Sequence, residues 1–262
     1  MAKTAIVTGG SSGIGREVAK SLKEAGCKVY EFSRREVKDS EFIHVSVDVT
    51  DEACVQEAVQ TVLDAEGKID LLVNCAGFGI SGAVEFTDLE DAKRQIDVNF
   101  FGMVNCAKAV MTPMRKAGSG RIVNISSVAA PVPIPFQAFY SASKAAINSY
   151  TCAAGNEVAP YGISMCAIQP GDIQTGFTDA RKKTLDGDEE YGGRITKSVA
   201  VMEKDEREGM PASVAGRYIA KIALKKKVKP LYAIGFVYKF FCLLMKLLPI
   251  GLANKIIGSI YG

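Results

Sequence analysis

The apolar positions of this chain fall into short runs separated by longer amphipathic stretches, and that alternation predicts its architecture. Thr4–Thr8 (TAIVT) is a brief run of the kind buried on both faces of a parallel sheet. A helical pattern follows through Leu22 and stops at Gly26. Lys28–Ser33 (KVYEFS) and His44–Val49 (HVSVDV) read as the second and third strands. A helix over about Glu52–Glu66 then leads to a fourth strand, Asp70–Val73. A helix across Leu89–Lys116 precedes the fifth strand, Arg121–Ser126 (RIVNIS). A long helix begins within Phe136–Tyr150, and Ser164–Ile168 is the sixth strand. Strands alternating with helices throughout predict an α/β fold: one domain, a Rossmann-type doubly wound parallel sheet with helices on both faces.

Two segments depart from the alternation. Residues 176–210 are charged, glycine-bearing and only patchily periodic, too long for a plain connection, and predict a mobile flap over a binding site. Beyond a last strand, Leu231–Gly235, residues 236–262 form an apolar-basic helical tail. Leu231–Leu248 is strongly apolar, yet Lys239 and Lys246 interrupt it on one helical face, and the part beyond the strand is shorter than the ~20 apolar residues a spanning helix needs. An amphipathic helix is expected instead. It either lies in a membrane interface, with Phe240, Phe241, Leu243, Leu244 and Leu247 as its apolar material, or folds back to close a pocket or bury a subunit contact.

Composition narrows the class. A length of 262 residues leaves room for one large α/β domain, and 48% hydrophobic with 23% charged residues is ordinary for a soluble protein. The seven cysteines (27, 54, 75, 106, 152, 166 and 242) are scattered without a CxxC pair and read as reduced thiols. The single histidine, His44, argues against a His-rich metal site and a Ser-His-Asp hydrolase, so no metal is expected. The chain opens directly in strand and turn, which suggests a cytoplasmic protein without a signal peptide. The net charge of +3 hides an asymmetry: residues 1–208 carry −6, whereas the rest hold nine basic residues and no acidic one. That split points to a negatively charged contact for the C-terminal part, with a membrane surface rather than nucleic acid as the expected partner.

The candidate chemistry lies at strand ends. Gly9-Gly10-Ser11-Ser12-Gly13-Ile14-Gly15 stands between strand and helix, where glycines admit a pyrophosphate to the free N–H groups of a helix N-terminus. Ser33-Arg34-Arg35 ends the second strand, where an acid would hold a ribose 2′-OH; a serine and two guanidiniums suit a 2′-phosphate and favour NADP(H). Asp48 is a candidate for the adenine amino group. Tyr140 and Lys144 share one helical face, roughly 6 Å apart along the axis. A cation beside the phenol is expected to lower its pKa from ~10, fitting it to exchange a proton with a carbonyl or alcohol oxygen.

Together TGGSSGIG (8–15), NCAG (74–77), Asn99, Ser126-Ser127, YSASK (140–144) and Pro170-Gly171 follow in order at spacings similar to those of the short-chain dehydrogenase/reductase family. The chain resembles that family along almost its whole length, most of all retinol and hydroxysteroid dehydrogenase-like members. The resemblance implies Tyr140 as acid/base, Lys144 as the group that lowers its pKa and holds the nicotinamide ribose, and Asn99 as support for a proton relay through water. Ser127, thirteen residues before Tyr140, would bind the substrate oxygen in preference to Ser126. It also implies cofactor contacts from the glycine turn, from Val49 beside Asp48, from Asn74, Ala76 and Gly77, and from Pro170, Gly171, Ile173 and Thr175. Two departures stand out: Ser12 replaces a basic residue common in NADP-dependent relatives, and Cys75 replaces an asparagine whose backbone matters most. The implied substrate is a hydrophobic ketone or secondary alcohol, steroid-, retinoid- or long-chain-carbonyl-like, with Pro131, Pro133, Pro135 and Phe136 lining the loop beside Ser127. A 3-oxoacyl-[acyl-carrier-protein] reductase is the alternative enzyme, disfavoured by the long tail. A non-catalytic dinucleotide sensor is disfavoured by the retained Asn99, Ser127, Tyr140 and Lys144. Pairing of helices around 89–116 and 140–158 would give a homodimer or homotetramer.

Overall fold

The computed structural model describes residues 2–35 and 41–261. The chain opens with β1 (Thr4–Thr8), α1 (Gly13–Glu24), β2 (Lys28–Ser33) and β3 (Ile43–Ser46). Next come α2 (Glu52–Glu66), β4 (Leu71–Asn74) and the two-residue β5 (Ile80–Ser81). α3 (Leu89–Ile96) and α4 (Gly102–Ala117) are joined by a π-helical turn, Asp97–Phe101. β6 (Gly120–Ile125), α5 (Ala138–Val158) and β7 (Ile163–Gln169) complete the middle of the chain. The last third holds β8 (Ile173–Gln174), α6 (Phe177–Ala180), β9 (Lys182–Lys183), α7 (Arg194–Arg207), β10 (Met210–Pro211) and α8 (Ala212–Ala223). It ends in β11 (Leu231–Ala233), α9 (Phe236–Leu247) and α10 (Ile250–Tyr261).

Seven strands form one parallel sheet in the order β11-β7-β6-β4-β1-β2-β3. The order reverses between β1 and β4, so a crevice opens at their C-terminal ends, Thr8 and Asn74, which pair in register. Alternation along β1 builds both cores. Ala5 and Val7 join Val18, Leu22 and Ile219 beneath α1 and α8. Ile6 joins Val55, Val59, Val110 and Met114 beneath α2 and α4. Local signals set the helix ends: Asp51 caps α2 by accepting from the N–H groups of Ala53 and Cys54 at 3.0 and 3.1 Å, a bond worth about 1 kcal/mol.

Three boundaries differ from the sequence expectation. The third strand stops at Ser46 rather than Val49, because Asp48 turns the chain by accepting from the N–H and hydroxyl of Thr50 at 3.0 and 2.7 Å. The helix expected over 89–116 contains a π-helical turn, which gives the backbone an extra residue at Asn99. Residues 176–210 are more regular than their charge suggests. α7 buries Ile195, Ser198, Val199 and Met202, and its three apolar members pack with Ala83 and Phe136. The charged outer face hid that period.

Candidate active site

A cavity of about 820 Å³ runs along the C-terminal ends of the strands. At one end it is lined by Gly9, Ser11, Ser12, Gly13, Ile14 and Gly15. Gly9 has φ +65°, and a Cβ there would stand 2.9 Å from Ala76 Cα. No side chain fits between turn and sheet at that point. Thr8 fixes the approach: its Oγ1 accepts from the N–H groups of Cys75 and Ala76, each at 3.1 Å. Ser12 occupies the N-cap of α1 without a side-chain cap bond, and the helix's first N–H groups face the turn. A glycine-built concavity at a helix N-terminus fits the pyrophosphate of a dinucleotide.

Beyond the turn the cavity reaches Ser33, Arg34, Arg35, Asp48 and Val49, together with Arg94, which the sequence reading missed. The Ser33 hydroxyl donates to the Arg35 carbonyl at 2.9 Å. Hydrogen bonds from Thr50 hold the Asp48 carboxyl below its usual range, helped by the nearby guanidiniums of Arg34 and Arg94. Cationic groups therefore dominate this end.

At the other end stand Ser127, Tyr140 and Lys144. Ser127 accepts from the Ala129 N–H at 3.1 Å, and its hydroxyl is close enough to the Tyr140 phenol to lower its pKa. Ser126, by contrast, donates to the Lys144 carbonyl at 2.9 Å and ties β6 to α5. Lys144 is buried, and its Nζ donates to the Ile125 carbonyl at 2.9 Å. Burial pushes that ammonium down to about 8. Desolvation pushes the thiol of its half-buried neighbour Cys75 up to about 12.

The expected lowering of the Tyr140 pKa does not occur in the protein alone. Burial pushes the phenol up to about 12, opposed by the Ser127 hydroxyl. Lys144 Nζ lies 5.6 Å from the centre of the tyrosine ring, turned toward a backbone carbonyl. Four-residue spacing put the two groups on one face but did not say where the ammonium points.

Two asparagines stand apart from the cavity surface. Asn74 is buried and donates to Asn124 Oδ1 at 2.9 Å, while Asn124 donates to Thr151 Oγ1 at 2.9 Å. This chain of bonds links β4, β6 and α5 rather than facing the cavity. Asn99 accepts from the Phe78 N–H at 2.9 Å and donates to the Phe78 carbonyl and Ser143 Oγ at 3.0 and 3.2 Å. It therefore positions the segment after Gly77, where a Cβ would come within 3.0 Å of Asn99 Oδ1. Ala76, Gly77, Pro170, Gly171, Ile173 and Thr175 do line the cavity.

In the proline-rich loop, Ile134 and Gln137 reach the cavity rather than Pro131, Pro133, Pro135 or Phe136. Phe136 adopts φ 59° and packs its ring against Tyr191, centroids 5.8 Å apart, in the α7 cluster. The cavity also takes Asp172, Phe177, Met202, Glu206 and Tyr261. Asp172 follows the Pro170-Gly171 turn directly, a signal that could have found it; the others lie in the charged segment or at the chain's end. Glu206 accepts from Thr178 Oγ1 at 2.7 Å and is paired with the buried Arg181. Burial, together with Asp205 and Glu206, raises the Asp172 carboxyl, opposed by a hydrogen bond from Tyr238.

Residues 3–186 match the short chain dehydrogenase family. The chain belongs to that family. Within it, the chain is 42% identical over 240 residues to a 3-ketodihydrosphingosine reductase of Bacteroides thetaiotaomicron, covering 88% of this chain and 89% of that protein. Among solved structures of the family, a short-chain dehydrogenase from Streptomyces avermitilis superposes with TM-score 0.84 at 27% identity, over 98% of this chain and 94% of the other. ElxO with NADP bound superposes with TM-score 0.75 at 27% identity, over 92% of this chain and all of the other. An oxidoreductase of this family on a seven-stranded parallel sheet is thus the protein's class.

Proposed function

We propose that this oxidoreductase uses NADP(H) to reduce a long-chain 3-oxo amino alcohol of the 3-ketodihydrosphingosine type to its secondary alcohol. The observation that carries the reaction is the meeting of Ser127, Tyr140 and the buried Lys144 on one wall of the cavity. Reduced nicotinamide, when bound, supplies the hydride to the carbonyl carbon. Ser127 and Tyr140 are the catalytic residues: their hydroxyls hold the substrate oxygen as charge develops on it, and Tyr140 gives it a proton. A phenol near 12 is protonated at neutral pH, the form a reduction needs. Asn99 is a positioning residue that fixes Phe78 and Ser143 around the pair.

The cofactor reading rests on the guanidiniums of Arg34 and Arg35 lining the end of the cavity where a 2′-phosphate would lie. It is supported by the NADP bound to ElxO, a family relative of like fold. The substrate reading rests on the reductase of Bacteroides thetaiotaomicron, matched over nearly its whole length. Chemistry near Tyr140 agrees with it. Such a ketone carries an amino group on the adjoining carbon, and Asp172 and Glu206 are close enough to act electrostatically on the phenol. Ile134, Phe177 and Met202 offer apolar surface to a long chain. Segment 176–210 supplies Phe177, Met202 and Glu206, so it would act as the substrate flap. We place assembly as a homodimer or homotetramer on the outer faces of α4 and α5, a state that light scattering would measure.

NADPH consumption followed against 3-ketodihydrosphingosine, a steroid ketone, a retinoid aldehyde, simple aliphatic ketones and a 3-oxoacyl thioester tests the reading. The amino ketone is expected to give the highest kcat/KM. A faster steroid, retinoid or thioester would replace it as the substrate class.

A further inference from the structure

We propose that the outer face of α9 and the start of α10 forms a docking surface for an anionic phospholipid bilayer. On α9, Phe236, Phe240, Leu243 and Leu247 recur at intervals of four and three residues and are 86%, 61%, 57% and 75% exposed, and Ile250 at the start of α10 is 84% exposed. Val237 beside them is also exposed. The opposite side of α9 is already spent on the domain. Cys242 is buried there, and the ring of Tyr238 covers Gly171, where a Cβ would come within 2.3 Å of it. Phe241 and Leu244 are half-buried rather than part of the outer stripe. A continuous apolar stripe of large side chains facing water is unusual for a surface with no partner.

Charge identifies the occupant. Residues 209–262 contain nine basic side chains and no acidic one. Several gather at the edge of the stripe: Lys239 donates to the Tyr218 hydroxyl at 3.1 Å, Lys225 stands over the Tyr232 ring at 5.6 Å, and Lys221 and Lys225 add to the positive field on Tyr218. Apolar side chains bordered by lysines and tyrosines match the layering of acyl chains, glycerol region and anionic headgroups. A second copy meeting this face would set Lys239 and Lys246 against their equivalents, with no carboxylate in the segment to pair them. Crossing the bilayer is not the geometry either: among the described residues no helix is long and apolar enough. The docked helices would lie flat.

The same two helices adjoin the reaction cavity, α10 directly and α9 through one of its lining residues. Tyr238 hydrogen-bonds Asp172, and Tyr261 at the end of α10 lines the cavity. Docking would therefore bring the cavity mouth to the lipid surface, where an apolar ketone resides. The proposal does not depend on which ketone that is, and its test reads binding rather than turnover.

Full-length protein is sedimented with vesicles of phosphatidylglycerol and phosphatidylcholine, and with phosphatidylcholine alone, at low and raised salt. Binding is expected to the anionic vesicles, weakened by salt. Neutralising Lys225 and Lys239 to Gln should weaken it roughly fivefold per lysine. Phe240→Glu with Leu247→Glu should abolish it while NADPH turnover of a soluble ketone and the melting temperature stay unchanged, since both side chains face water. The proposal is overturned if wild-type protein stays in solution with anionic vesicles at low salt, or if the double variant binds them as well as wild type. It is equally overturned if light scattering shows an oligomer that the double variant splits while vesicles go unbound, which would assign the face to a second copy.

Discussion

The ammonium of Lys144 donates to the Ile125 carbonyl at 2.9 Å and stands 5.6 Å from the centre of the Tyr140 ring. The lysine is thus held by the sheet and not by the phenol. In the protein alone each group sits in its neutralising environment, Tyr140 pushed up to about 12 and Lys144 down to about 8. A reduction would begin from a protonated phenol in such a site.

Removing the phenol separates chemistry from binding. Tyr140→Phe should lower kcat by ~10²–10⁴ and leave NADPH affinity, read by cofactor fluorescence, within a fewfold of wild type. A variant retaining most of its rate would mean that another group supplies the proton.

The buried lysine has a signature in stability. Its folded value, about 8, lies below the ordinary 10.5, so between those values the unfolded chain binds more protons and stability rises with pH. The full excursion corresponds to about 3 kcal/mol. Tyr140 acts in the opposite sense above pH 10, where the folded chain keeps a proton that the unfolded chain loses. Lys144→Met removes the ammonium's burial cost and forfeits its hydrogen bond to Ile125. Without cofactor it should therefore be roughly 2 kcal/mol more stable than wild type at pH 7. Denaturant titrations should show that gap closing as pH rises from about 8 to 10.5. A gap that stays constant across this range would show that Lys144 does not titrate there.

Arg34→Asp should narrow or reverse a preference for NADPH over NADH. A charge-assisted hydrogen bond contributes roughly 1.5–3 kcal/mol, so one lost contact changes the ratio of kcat/KM values about tenfold or more. Equal use of both cofactors by the wild type would remove the basis for reading Arg34 as a phosphate ligand.

How much of this was legible beforehand follows from the range of each signal. The strand runs and the TGGSSGIG turn are local, so the parallel sheet and the glycine cradle were readable from neighbours in sequence, whereas the switch point between β1 and β4 is set by long-range pairing. Ser126 and Ser127 illustrate the limit. Adjacent just past the end of β6, both border the cavity, and only the Lys144 carbonyl bonded to Ser126 shows which hydroxyl belongs to structure. Asn74 lies inside a recognisable motif, yet its partner Asn124 is fifty residues away. Glu206 and Tyr261 reach the cavity through α7 and α10, whose placement is set by contacts distant in sequence, so nothing local marks them.

The Asn74–Asn124–Thr151 chain should therefore behave as structure. Asn124→Ala leaves the buried Asn74 amide only its long 3.5 Å bond to the Met103 carbonyl and should destabilise the fold by about 1–3 kcal/mol in denaturant titrations. NADPH affinity of the remaining folded protein should be unchanged. A large loss of affinity at unchanged stability would return Asn74 to the cofactor site.

Asp172 offers the sharpest test of the amino ketone. It lines the cavity, acts on the Tyr140 phenol and sits with Glu206 and Asp205, three carboxylates against the one guanidinium of Arg181, which pairs with Glu206 and also acts on Asp172. The excess negative charge favours a substrate ammonium near the reacting carbon. Asp172→Asn keeps an oxygen to accept the Tyr238 hydroxyl, so packing against α9 survives while the charge is lost. KM for the amino ketone should rise about tenfold, the value of one charge-assisted hydrogen bond, with kcat changed little. KM for a neutral ketone of the same chain length should stay where it was or fall, because no ammonium is lost and a buried charge is removed. If both substrates weakened equally, Asp172 would act on the shape of the cavity and not on the amine, and the choice of an amino ketone would lose its support from the site.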